Sequence, residues 1–164
     1  MCEIPVGGAP RQQVGTHPSR GGITTPDIEL TLPARAENIA VVRHAFGALD
    51  DALALDPQTL SDIRLAVTEA CTNVVLHAYR QGEEGPLEIC ADIDADRLSI
   101  IVRDHGLGIT PRADSTGLGL GLPLIASLAE AVELRRNEDD HTEVSMVFSL
   151  GPRAADSQIN GVRR

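Results

Sequence analysis

The sequence predicts an α/β (α+β) two-layer sandwich: a mostly antiparallel, mixed sheet with its helices on one face. Three observations predict it. The strand-like stretches come as adjacent hairpin partners, in the order β-α-α-β-β-loop-α-β-β, so paired strands are not separated by helical crossovers. Two long stretches carry apolar residues at three- and four-residue steps, the mark of helices with one buried face. A hydrophobic content of 42% over 164 residues suits one domain with a proper core.

Residues 1–26 are rich in Gly, Pro, Ser, Thr and Gln and read as a disordered tail. Asp27 to Leu32 alternates strictly, as a half-buried strand does. Residues 35–54 place Ile39, Val42, Phe46, Leu49 and Leu53 at helical spacing. Asp56 followed by Pro57 reads as an N-cap with Pro at the first helical position, opening a helix that runs to about Tyr79. A Gly- and Glu-rich loop at 81–86 follows. Residues 87–93 and 97–102 form a hairpin closed by Asp94–Asp96. Residues 104–121 are glycine-rich and without regular pattern. Residues 122–131 form a short helix, and 132–136 and 143–150 are strands joined by a polar turn at Asn137–Asp140. From Gly151 the chain is a polar tail. The expected organisation is one domain over 27–150 between two tails.

Composition removes several function classes. The formal net charge is −10, which opposes nucleic acid as the main partner and a basic membrane-surface helix. All 14 basic residues are Arg and none is Lys. A Walker A loop, the usual protein-kinase strand Lys and Schiff-base chemistry are therefore all excluded. With aromatics at 2%, the core must be Leu, Val, Ile and Ala. Cys2, Cys71 and Cys90 show no metal or redox spacing; Cys71 and Cys90 read as small buried hydrophobes. The odd count and the lack of a signal peptide imply a cytoplasmic protein, and no apolar run approaches membrane-spanning length.

Three stretches carry candidate chemistry. On the second helix, Glu69, Asn73 and His77 stand four apart and form one polar stripe, while Ile63, Val67, Ala70, Val74 and Ala78 form the apolar side. A carboxylate there can take a proton, and a carboxamide oxygen suits Mg²⁺; a merely wet helix face has the same pattern. Asp104 shares strand parity with Leu98, Ile100 and Val102. A carboxylate on the core side of a strand needs a partner, and a ligand amino group would be one; a solvated turn is the other reading. The run Gly117-Leu118-Gly119-Leu120-Gly121 leads directly into a helix and offers a phosphate cradle. It is not the dinucleotide fingerprint, since Leu122 stands where that pattern needs Gly. A flexible glycine-rich loop looks the same. Asp92, Asp94 and Asp96 begin like a calcium loop, but Arg97 and Arg103 occupy the Gly and terminal acid positions. The five His residues lack zinc spacing, and no Gly-x-Ser-x-Gly elbow is present.

In order, Glu69-x-x-x-Asn73, Asp104-x-Gly106-x-Gly108 and Gly117-x-Gly119-x-Gly121 resemble the three nucleotide-binding boxes of the GHKL (Bergerat-fold) ATPases. The first box, running from Glu69 to Tyr79, resembles the anti-sigma-factor serine/threonine kinases in particular. The resemblance implies a Bergerat ATP-binding fold using ATP and Mg²⁺. It implies Glu69 as general base and Asn73 as Mg²⁺ ligand, with His77 beside it at the nucleotide. Asp104 would accept from the adenine amino group, and Gly106 and Gly108 would let the backbone close on the nucleotide. Gly117, Leu118, Gly119, Leu120 and Gly121 would lie at the phosphates, and Thr142 would support the adenine end. The implied function is a serine/threonine kinase acting as anti-sigma factor. Its implied partners are a sigma factor and a STAS-domain anti-anti-sigma factor, with a homodimer as the assembly. Two departures stand out. Thr116 occupies a place where such kinases often carry Arg near the γ-phosphate, for which Arg112 is a possible substitute, and the Thr110–Thr116 lid is short. They support an alternative, an ATP-binding regulatory module that sequesters a partner without efficient phosphoryl transfer.

Overall fold

The computed structural model of the chain describes residues 26–80, 82–94, 96–106, 121–136 and 141–151. The elements are β1 (Ile28–Pro33), α1 (Ala36–Gly47), α2 (Leu49–Leu53), α3 (Pro57–Asn73), β2 (Pro86–Asp94), β3 (Arg97–Asp104), α4 (Gly121–Leu128), β4 (Ala131–Arg136) and β5 (Thr142–Ser149). The five strands form one sheet in the order β1-β2-β3-β5-β4. Every neighbouring pair is antiparallel, so no parallel pair makes the sheet mixed among the described strands. The predicted two-layer architecture and element order are otherwise those observed.

The helices cover one face of the sheet. Strand alternation sends Leu98, Ile100 and Val102 of β3 and Met146 and Phe148 of β5 to that face, all buried. They meet Val42 and Phe46 of α1 and Ile63, Val67 and Ala70 of α3 in one core cluster. Each such large side chain contributes about 1.5–3 kcal/mol by leaving water. Among the described residues no helix is long and apolar enough to cross a membrane.

α3 starts as its sequence requires. Asp56 Oδ1 accepts the backbone N–H groups of Gln58 and Thr59 at 3.0 and 3.1 Å, and Pro57 fills the first helical position. The Thr59 hydroxyl also bonds Asp56 and, as the main cause, holds that carboxyl below its usual range. The whole predicted apolar stripe, Ile63 to Ala78, is buried.

Three expectations change. The helix expected over 35–54 is two helices, because the regular helix stops at Gly47 and restarts at Leu49; α2 then ends at Ala54 in left-handed backbone (φ 48°). The helix expected to run to Tyr79 is α-helical only to Asn73, after which Val74–Ala78 widen into a π-helical turn. Cys71 is free and buried, its thiol pushed up to about 12 by burial, but Cys90 is disulfide-bonded rather than a free small hydrophobe.

Candidate functional site

α3 supplies one side of the site. Glu69 and Asn73 are half-buried and stand one turn apart, about 6 Å along the axis. Neither side chain forms a hydrogen bond or ion pair among the described residues, so a carboxylate and a carboxamide are both uncommitted. His77 lies beyond the α-helical part, in the π turn, and is exposed. The wider turn changes the angle per residue, so the three-residue stripe read from α-helical spacing ends in a different geometry at His77.

The ends of β3 and β5 supply the other side. Asp104 is 2% exposed, and its Cα partner across the ladder is Thr142, itself 4% exposed. Gly106 N–H donates to Asp104 Oδ1 at 3.0 Å and is its one hydrogen-bond donor among the described residues. Burial raises the Asp104 carboxyl above its usual range; the Gly106 bond and then the nearby His105, His141 and Arg136 oppose that shift. The Thr142 hydroxyl is buried without a partner among the described residues. Leaving a buried polar group unpaired costs about 1–3 kcal/mol. A ligand that fills this corner would remove that cost, which is the strongest physical sign that something polar binds here.

Two glycines bring the sides together. A Cβ on Gly106 would overlap the backbone carbonyl of Ala78, so the end of β3 touches the π turn with no side chain between. A Cβ on Gly121 would come within 2.7 Å of Asn73 Nδ2 and 2.9 Å of its Oδ1, so the first residue of α4 sits on the Asn73 carboxamide. An amide oxygen beside a helix start is a fitting place for a phosphate–cation pair. Among the described residues no cluster of three or more His, Cys, Asp or Glu could hold a metal by itself.

Gly108, Gly117, Leu118, Gly119 and Leu120 lie outside the described residues, as do Arg112, Thr116 and the Thr110–Thr116 lid. So do the 1–25 part of the first tail, the turn at 137–140 and the tail from 152. An open groove of about 510 Å³ lies beside Val75, Leu76, Tyr79 and Arg80, and none of Glu69, Asn73 or Asp104 lines it.

Sequence reading missed two features around Asp104. On the sheet face away from the helices, Glu88, Arg103 and Glu143 stand in register on β2, β3 and β5. Arg103 bridges to Glu143 at 2.6 Å and to Glu88 at 3.4 Å, and His105 Nε2 meets Glu88 at 2.9 Å. Its signal was the second parity of the strands, which alternates Glu, Arg and Glu behind the core residues. The other feature is Tyr79, whose hydroxyl bonds both Pro86 and His105.

Comparison with known proteins bears on the family and the fold. The family model of the histidine kinase-like ATPase domain matches residues 32–148. A serine-protein kinase RsbW of Halalkalibacterium halodurans is 34% identical over 150 residues, which is 82% of this chain and 90% of the relative. The RsbW of Bacillus licheniformis is 30% identical over 79% of this chain and 89% of its own length. Among solved structures, the RsbU and RsbW domains of a Mycobacterium tuberculosis protein superpose with a TM-score of 0.61 at 21% identity. That match covers 79% of this chain and 34% of the larger protein, and it shows the shared fold.

Proposed function

From the premise that this chain belongs to the histidine kinase-like ATPase family, on the branch of the RsbW serine-protein kinases, we propose that it is an anti-sigma factor. It uses ATP as a serine-protein kinase and works in a partner switch. It holds a sigma factor and, with ATP, phosphorylates a serine or threonine of a STAS-domain anti-anti-sigma protein. The added charge disfavours the antagonist's interface and releases it. The working assembly is a homodimer.

The residues divide the work by chemistry. Asp104 accepts a hydrogen bond from the adenine amino group, and Thr142 supports the same end of the base. Gly106 keeps the backbone close at that edge. Asn73 Oδ1, beside Gly121, and His77 face the phosphates. Mg²⁺, held by Asn73 and the phosphates, would neutralise phosphate charge when bound. Glu69 takes the proton from the acceptor hydroxyl as its oxygen attacks the γ-phosphorus. The bond from that phosphorus to the β,γ-bridging oxygen breaks, and ADP leaves.

The observation that carries this reading is the buried Asp104 paired in register with a Thr142 hydroxyl that has no partner among the described residues. The test is the Glu69→Gln variant, which keeps the shape of the site and removes the base. It should bind ATP with wild-type affinity and fail to transfer phosphate to a STAS-domain acceptor. Normal transfer by this variant would remove Glu69 from the mechanism. Nucleotide binding by the wild type without any transfer would favour a sequestering module.

A further inference from the structure

Tyr79 is the one tyrosine of the chain, and no tryptophan accompanies it. It follows the π turn in extended backbone (φ −115°, ψ 152°), which throws its ring across the start of β2. The ring lies on Gly85 so closely that a Cβ there would overlap it. The hydroxyl donates to the Pro86 carbonyl at 2.6 Å and accepts the His105 backbone N–H at 3.1 Å.

The register gives these two bonds a meaning. Leu87 pairs with Asp104 at the end of the β2–β3 ladder, so the next pair would be Pro86 opposite His105. Pro86 has no N–H and can offer that rung only its carbonyl. The His105 N–H and the Pro86 C=O are the two groups that would close the rung, and the phenol stands between them. A hydroxyl can donate once and accept as well, so it satisfies both groups while holding them apart. The ladder therefore opens beyond Asp104, and the chain turns so that Gly106 abuts the Ala78 carbonyl.

We propose that Tyr79 is a positioning residue for the nucleotide site: its hydroxyl holds the His105–Gly106 backbone, just beyond Asp104, away from β2 and against the end of the helix that carries Glu69 and Asn73. This rests on the nucleotide reading of that site. Removing the hydroxyl lets His105 pair directly with Pro86, adding a rung and drawing Gly106 away from the π turn. Asp104, which is bonded to the Gly106 N–H, would move with it.

The experiment compares wild type, Tyr79→Phe and Asp104→Asn by ATP calorimetry with Mg²⁺, together with residue-resolved amide exchange on the unliganded proteins. The Tyr79→Phe variant keeps the ring and should bind ATP about tenfold more weakly, the loss expected for one or two hydrogen bonds. Its His105 amide should exchange at a changed rate while that of Ile100, mid-strand in β3, stays as in wild type. In wild type labelled at the phenol carbon of tyrosine, the single resonance should shift on saturation with ATP. Wild-type affinity in Tyr79→Phe overturns the inference, and so does exchange altered evenly along β3, which would mark general loosening. If wild type binds no ATP, the nucleotide reading fails and the positioning role with it. A normal His105 response would then still report the latch, which separates the two failures.

Discussion

The two sides of the proposed site are built on opposite terms. On α3, Glu69 and Asn73 stand half-exposed on a regular helix with no partner among the described residues. At the strand ends, Asp104 and Thr142 are buried, and the backbone around them is held by Gly106 and Tyr79. The difference separates two kinds of work. A group that must exchange protons or bind an ion works best uncommitted and wet enough to ionise. A group that must recognise one ligand edge gains from being fixed and desolvated before the ligand arrives, because the missing partner is then costly to leave absent. On this reading α3 is the reactive side and the strand ends are the selecting side.

Substitutions should break that division in order of size. Glu69→Gln should lower phosphate transfer by about 10²–10⁴-fold, the usual share of a general base, with ATP affinity unchanged in calorimetry. Asp104→Asn should do the reverse in kind. ATP affinity should fall about 10–100-fold, the range for a hydrogen bond to a charged group, which titration measures directly. An Asp104→Asn variant that binds normally but transfers poorly would erase the distinction between the two sides. Gly121→Ala places a methyl group against the Asn73 carboxamide and should weaken Mg²⁺-dependent ATP binding by about tenfold. Binding measured without Mg²⁺ should change less.

A pH series sharpens the comparison further. Burial holds the Asp104 carboxyl above its usual range, and in the proposed role it is the carboxylate that accepts from adenine. Affinity should therefore fall as pH drops through that raised value, approaching about tenfold per pH unit in calorimetric titrations. Asp104→Asn should lack this component. Stability of the unliganded protein runs the other way. The fold favours protonated Asp104, so its contribution rises on acidification and is lost as pH rises from the ordinary carboxylate value through the raised one.

Much of this was legible in the sequence because two periodicities carry it. The step of three and four residues named Ile63, Val67, Ala70, Val74 and Ala78, all buried, though not the buried Ala66 between them, and Asp56-Pro57 marked the first turn of α3. Strand parity placed Asp104 with Leu98, Ile100 and Val102, all buried. What escaped lies where neither rule applies. The break after Gly47 and the π turn after Asn73 preserve an amphipathic pattern while changing the helix beneath it. The Glu88–Arg103–Glu143 ladder depends on pairing between strands far apart in sequence, 15 and 40 residues, which one-strand parity does not supply. Tyr79 ended a recognised motif, but its partners, Pro86 and His105, are defined by the register of a sheet edge.

The π turn between Asn73 and Tyr79 has a consequence for how this protein tolerates change in length. A π turn accommodates more residues per turn than an α-helix does. Deleting a single residue between Val74 and Ala78 would leave a continuous helix and tighten the turn to α geometry. Four residues of α-helix turn through about 400° and rise about 6 Å, close to what the five residues of the wider turn cover, so the residues after it would keep nearly their direction and height. Tyr79 would stay near the Pro86–His105 gap, whereas the same deletion within α3, which no wider turn absorbs, would rotate it by about 100°. The five residues from Val74 to Ala78 thus act as a slack turn that can take up a change of one residue in length, while Val74 and Ala78 stay fixed in the core.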